Sequence, residues 1–393
     1  MTNSASGSGA PDLAGVLRPY VADGTLPGAV GLVARGGDVE VAVVGSADAE
    51  GRTPMDRESI FRIASITKPI TAAAVMVLVD DDRIDLADPV RRWLPELAEP
   101  RVVRTPRGPL DDVVPAVRPI TVEDLLSSRT GYGFPADFEL PAVRALMAEG
   151  VQSDGREPQR FLPTDAWLRV LAGIPMLHQP GDAWLYNTSS DLQGVLVERV
   201  SGQSLPDFLA ERIFERLGMR DTGFVVPAAK RDRLTGYYRA AASGGLELLD
   251  GPDGQWSRLP PLASGAGGLV STVDDWLAFG RMLLAEGATA DGRRLLSARS
   301  VRLMTTDHLT GAQRAACPLF LEGQGWGFGG AVDVEAVSPW NVPGRYGWVG
   351  GTGTSAHVVP ATGAVHVLLT QLAATGPVHA RQQRDFWRYA AAG

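Results

Sequence analysis

Lysine is nearly missing from this chain: only Lys68 and Lys230 stand among its 37 basic residues. The rest are arginines, whose guanidinium keeps its proton under ordinary conditions. A neutral amine that accepts a proton therefore has two possible addresses. Cysteine is scarcer still. Cys317 is alone, which excludes an intrachain disulfide and a cysteine-based metal site and leaves it as a packing residue. The five histidines, His178, His308, His357, His366 and His379, have no zinc spacing. No metal and no cofactor are expected. No run of 18 apolar residues occurs, so no membrane span is expected. Basic runs are absent and the net charge is −8, which argues against nucleic acid and anionic membranes as partners. There is no G-x-S-x-G elbow. Residues 1–9 lack a basic segment followed by an apolar one, so no secretory signal is read there. A flexible tail over 1–11 and a cytoplasmic protein are expected.

What is present suits a large fold. The 393 residues are 45% apolar, enough for one large or two intimately joined domains. Apolar runs at 29–34 and 39–44 flank Arg35-Gly36-Gly37-Asp38, a hairpin signal. From Pro69 the period becomes helical, to about Asp80, with Ser65 at or before the first turn. Thr121-Val122-Glu123-Asp124 reads as a capping box. Residues 95–119 read as a long loop. Helices are expected near 164–173, 190–200, 204–217 and 272–285. Segment 240–260 reads as an excursion loop. Strands are expected at 326–332, 346–350, 355–359 and 364–370, then a terminal helix from about 377 to 390. Strands at both ends and helices between them imply an α+β fold: an antiparallel sheet flanked by helices, with an inserted, mostly helical domain. The expected division is 12–78 plus 260–393 for the sheet domain and 79–259 for the insert.

Three segments carry chemistry. The first is Ile63-Ala64-Ser65-Ile66-Thr67-Lys68-Pro69. Three residues apart on a helix, Ser65 and Lys68 share a face. A serine hydroxyl becomes a nucleophile when a neighbouring base takes its proton, and a lysine is that base only when its pKa falls through burial or nearby charge. A helix cap is the bland reading of Ser65. The second segment, Gln179 to Ser189, delivers Tyr186 just before a helix, where a phenol can share or relay the proton. Core packing is its bland reading. The third is Tyr346-Gly347-Trp348-Val349-Gly350-Gly351-Thr352-Gly353-Thr354. Its glycines let a substrate approach the backbone, and the amide of Gly351 can pair with that of Ser65 to hold an oxyanion. Gly325-Trp326-Gly327-Phe328-Gly329-Gly330 satisfies G-x-G-x-x-G formally, but it lacks the strand-turn-helix context of a dinucleotide site. Trp184 and Trp326 are read as core residues, with the pocket as their other possible place.

In order and spacing these segments resemble those of the serine β-lactamase and penicillin-binding-protein superfamily. Flanking stretches agree: Ile120 to Gly131, Leu192-Gln193-Gly194, Leu217 to Thr222 and Ser264-Gly265-Ala266-Gly267-Gly268-Leu269. Within the superfamily the chain is most similar to the class C β-lactamase-like esterases, the family VIII carboxylesterases. The resemblance implies Ser65 as nucleophile, Lys68 as partner base and Tyr186 as third catalytic group. It implies an oxyanion hole from the Ser65 and Gly351 amides, and a substrate pocket that includes Trp348, Thr188 and Gly350. Two departures matter. Trp348 stands where β-lactamases carry Lys or His, which removes the cation suited to a substrate carboxylate. Thr188 stands where many relatives have Asn.

The expectation is therefore a serine hydrolase that cleaves small-molecule esters through an acyl-enzyme. A β-lactamase, an amidase or D-peptidase, and an acyltransferase remain open on the same fold. A non-catalytic acyl sensor is the remote alternative. Whether Lys68 or Tyr186 is the base, which acyl and alcohol groups are natural, and the oligomeric state stay open.

Overall fold

The computed structural model describes residues 12–152, 155–376 and 378–392. The tail expected over 1–11 lies outside the described residues. A seven-stranded antiparallel sheet is built from both ends of the chain. Its strands are β1 (Gly28–Arg35), β2 (Asp38–Gly45), β3 (Gln324–Trp326), β4 (Ala331–Asp333), β5 (Tyr346–Gly350), β6 (Thr354–Val359) and β7 (Ala364–Thr370). Across the sheet the order is β2-β1-β7-β6-β5-β4-β3. The first strand thus pairs with the last, Ala29 opposite Thr370.

Strand alternation sorts β1 between two cores. Ala29 and Val33 face one side, where they pack with Leu13 and Leu17 of α1 (Leu13–Ala22) and Phe386 and Trp387 of α5 (Arg381–Ala391). Gly31 shares that face, and a Cβ there would sit 3.0 Å from Leu17. Val30 and Leu32 face the larger core on the other side. That side is covered by α4 (Val273–Leu284) and then by α2 (Lys68–Asp80) and α3 (Thr188–Ser201).

Helix α2 is the centre of the molecule. Every residue from Lys68 to Leu78 is buried. Pro69 falls in the first turn, where its missing N–H costs nothing. Ala72, Ala73 and Ala74 keep the helix slim where α3 packs against it. Burying a side chain such as Val75 or Leu78 contributes about 1.5–3 kcal/mol, so α2 is held mainly by its surroundings.

Several expectations shift. The capping box forms as read, with Thr121 and Asp124 bonded reciprocally. The expected loop at 240–260 contains a hairpin instead, Tyr237–Ala240 with Leu246–Asp250, closed around Gly244 and Gly245 at φ +88° and +79°. The strand expected at 326–332 is two, β3 and β4, because the chain reverses between Gly327 and Gly330, whose backbones bond at 2.8 Å. The formal G-x-G-x-x-G is therefore a hairpin. The terminal helix starts later than expected, at Arg381, because Ala380 is extended and Gln383 folds back to accept its N–H. Within the loop expected at 95–119, Arg101–Val103 pairs with Val113–Pro115.

Candidate active site

Ser65 lies in a 3-10 turn, Ala64–Thr67, that leads directly into α2. Ala64 holds a left-handed φ of 45°, and the turn packs against the ends of β5 and β6. The turn between β5 and β6 grips it from outside. Thr352 donates to the Arg62 carbonyl at 2.6 Å and Thr354 to the Ile63 carbonyl at 2.9 Å. Arg62 is itself buried against Asp250, with Nε to Oδ2 at 2.8 Å. Breaking such a buried pair typically costs about 3–5 kcal/mol. Gly350 fits here because a Cβ would lie 2.6 Å from the Ile63 carbonyl and 2.1 Å from Thr354 Oγ1.

Lys68 is fully buried. Its Nζ donates to Ser65 Oγ at 3.0 Å and to the Ala266 carbonyl at 2.6 Å. It also lies 4.6 Å from the centroid of the Tyr186 ring, within cation–π range. Tyr186 is delivered by a strained entry into α3, with Asn187 at φ 84°. Its hydroxyl accepts from the indole N–H of Trp348 on β5 at 2.7 Å. Behind it pack Trp184 and Trp326, both in the core. Phe320 stacks on the ring with centroids 5.0 Å apart.

Ser65, Tyr186, Trp348, Gly350 and Gly351 line one cavity of about 600 Å³. At Gly351 a Cβ would meet nothing within 4 Å, so open space lies above its backbone. Much of the wall is apolar: Phe134, Phe138, Phe161, Leu319, Phe320 and Leu372. Thr188 does not line the cavity. It opens the buried first turn of α3, fully covered, and its hydroxyl has no hydrogen-bond partner among the described residues. His178 is also absent from the wall, whereas His379 is part of it. Burial, with help from Arg345 and Arg384, holds the His379 pKa down to about 4, so it faces the cavity neutral. Cys317 is buried outside the lining, and burial pushes its thiol up to about 11. Among the described residues no cluster of His, Cys, Asp and Glu suits a metal ion, and no helix is long and apolar enough to cross a membrane.

Sequence reasoning missed two parts of this site. Asn187 lines the cavity and donates to Gln152 at 3.0 Å. The segment 264–268 is a strap threaded between α2 and α3. Thr71 donates to the Gly265 carbonyl at 2.8 Å, and a Cβ on Gly265 would sit 2.4 Å from the Ser190 carbonyl. Only glycine tolerates that approach, and the Gly-rich run was the available signal.

This arrangement can do nucleophilic chemistry. A hydroxyl and a phenol face one largely apolar cavity, and a buried amine lies behind them, within hydrogen-bond reach of the hydroxyl and against the phenol ring. Comparisons with known proteins agree with the geometry. The beta-lactamase family profile matches residues 13–388. Protein Rv1367c of Mycobacterium tuberculosis is 38% identical over 366 residues, 90% of this chain and 88% of that protein. Esterase EstB of Burkholderia gladioli is 32% identical over 374 residues, 89% of this chain and 87% of its own length. Among solved structures, EstCE1, described as a hydrolase with promiscuous acyltransferase activity, superposes with a TM-score of 0.77 at 28% identity, covering 97% of each chain. The chain belongs to the beta-lactamase family.

Proposed function

We propose that this protein is a serine esterase that cleaves neutral, apolar carboxylic esters through an acyl-enzyme on Ser65. The observation that carries the reading is the Lys68 Nζ–Ser65 Oγ hydrogen bond of 3.0 Å at the floor of an apolar cavity. The ester enters between the sheet and the insert of residues 79–259. Lys68 takes the Ser65 proton as Oγ bonds to the ester carbonyl carbon. The oxyanion forms against the amides of Ser65 and Gly351. The C–O bond to the alcohol then breaks, and the alcohol leaves with the proton from Lys68 or by way of Tyr186. Water then attacks the acyl carbon and gives its proton to the same groups; the bond from the acyl carbon to Ser65 Oγ breaks, Oγ takes the proton back, and the acid is released. The direct contact with Ser65 favours Lys68 as the first acceptor, while Tyr186, held by Trp348, is the relay.

The substrate class rests on Trp348. An indole at this place offers apolar area and no charge for a substrate carboxylate. EstB and the lovastatin esterase of Penicillium rubens, 29% identical over 353 residues, carry esterase names, which supports ester cleavage. Intact-mass analysis after fluorophosphonate treatment tests the nucleophile: one adduct on the native chain and none on Ser65→Ala are expected. Label on the alanine variant overturns the assignment. Short-chain nitrophenyl esters should be turned over far faster than a chromogenic cephalosporin, and the reverse order would replace an esterase by a β-lactamase.

Acyl transfer is the second reading. A cavity of about 600 Å³ leaves room for an acceptor alcohol beside a small acyl group, and the acyltransferase activity printed for EstCE1 points the same way. Ester formation on adding a simple alcohol to the hydrolysis assay would support it.

A further inference from the structure

One buried carboxylate takes no part in the chemistry above. Asp191 sits in the first turn of α3 and is 2% exposed. An acid in a first turn ordinarily serves the helix dipole from the surface. Asp191 instead points across to the strap. Its Oδ1 accepts from Ser264 Oγ at 2.6 Å and from the Ala266 amide at 3.1 Å. The carbonyl of that same Ala266 accepts from Lys68 Nζ at 2.6 Å. One residue of the strap therefore has its amide on Asp191 and its carbonyl on Lys68.

We infer that Asp191 is a positioning residue for Lys68: through Ala266 it fixes where the amine sits, and through its charge it sets how firmly the amine holds a proton. This rests on the reading of Lys68 as the proton acceptor of Ser65. The groups that face Lys68 are few. Asp191 comes from α3 and Tyr186 from the segment before it; the turn supplies the Ser65 hydroxyl and the strap a carbonyl. Asp191 is the carboxylate of this set, and its field favours the ammonium form that exists after Ser65 has lost its proton. Burial raises the Asp191 pKa on balance, and hydrogen bonds from Ser264 and the Ala266 amide, with the nearby Lys68 charge, offset only part of that rise. The strap is also tied by Thr71 to the Gly265 carbonyl and by Trp256 to the Gly268 carbonyl, but at Ala266 its amide rests on Asp191.

The test compares the native chain with Asp191→Asn and Ser264→Ala, using p-nitrophenyl acetate across pH. Asp191→Asn keeps the shape and removes the charge. Its kcat should fall about tenfold to a hundredfold with KM nearly unchanged, because a small misplacement of a catalytic group costs rates of that order. The acid limb of its kcat/KM profile should move down by about one pH unit, because the ammonium has lost its neighbouring anion. A purely structural role would scale the curve without moving the limb. An unmoved limb, or a native kcat, overturns the inference. Should Asp191→Asn fail to fold, Ser264→Ala carries the test: a severalfold loss of kcat in a variant with a native melting transition supports the inference, and native kcat overturns it. Lys68→Arg serves as the control for the parent reading. If that variant turns over ester, the parent reading fails. If it is dead and the Asp191→Asn limb stays put, only the role of Asp191 fails.

Discussion

Lys68 and Lys230 carry the same side chain into opposite surroundings. Lys230 lies in a short 3-10 helix, Ala228–Arg233, with a third of its side chain in water. Its Nζ meets Asp221 at 2.8 Å and the Arg220 carbonyl at 2.7 Å. Burial works against the Asp221 carboxylate, but hydrogen bonds from Arg233 and Lys230 outweigh it and hold that pKa below its ordinary value. Lys68 has no water, a hydroxyl, a carbonyl and the face of a phenol ring. A cation facing a carboxylate does work that arginine also does. An amine facing a hydroxyl does work that requires giving up a proton. The contrast separates a lysine that serves as a charge from the lysine we propose as a base.

The sharpest way to break this contrast is the same substitution at both sites. Lys68→Arg should lower ester turnover by about a thousandfold, since guanidinium does not deprotonate. Near-native turnover would remove Lys68 as base. A smaller effect is expected on the other side of the phenol. Trp348→Phe keeps an aromatic ring but withdraws the N–H from the Tyr186 oxygen. Losing one hydrogen bond of about 1.5 kcal/mol predicts a fall in kcat of about tenfold. An unchanged kcat would restrict Trp348 to packing.

Buried histidines give the third comparison. Burial, reinforced by Arg345, holds His366 down to about 3, and it holds His357 well below its ordinary value. His366 and His357 pair across β7 and β6. Native histidines with depressed pKa values stay neutral while the unfolded chain takes up protons below about pH 6.5. Stability is therefore complete above that pH and falls as pH drops from about 6.5 toward the folded-state values. One histidine held neutral at pH 5 costs about 2 kcal/mol. Melting curves at pH 7.5 and pH 5 should show a clear drop, and His366→Gln should reduce it. Equal melting temperatures would show that these rings are not held neutral. The smallest effect belongs to Lys230→Arg, which should change melting and turnover by no more than about 0.5 kcal/mol, measured by differential scanning fluorimetry and the ester assay.

Local patterns carried much of the reading. The hairpin around Gly36-Gly37, the capping box at Thr121 and the period of α2 are each written in a few adjacent residues. So is the spacing of Ser65 and Lys68, because one helical turn brings them together. What escaped depends on partners far along the chain. Asp191 meets Ser264 and Ala266 across 73 and 75 residues, and no local signal marks that meeting. The pairing of 237–240 with 246–250 was hidden by glycines that looked like loop and are its turn. The resemblance implies Thr188 in the pocket, but Asn187 in a left-handed conformation turns the chain so that Asn187 lines the cavity while Thr188 is buried.

The grip of Thr352 and Thr354 on the carbonyls of Arg62 and Ile63 joins positions 290 and 291 residues apart. A ribosome making this chain releases the serine-bearing segment long before the strand that steadies it. Until Thr352 and Thr354 have emerged and β6 has found its place in the sheet, the nascent turn that bears Ser65 lacks the two hydrogen bonds that steady it.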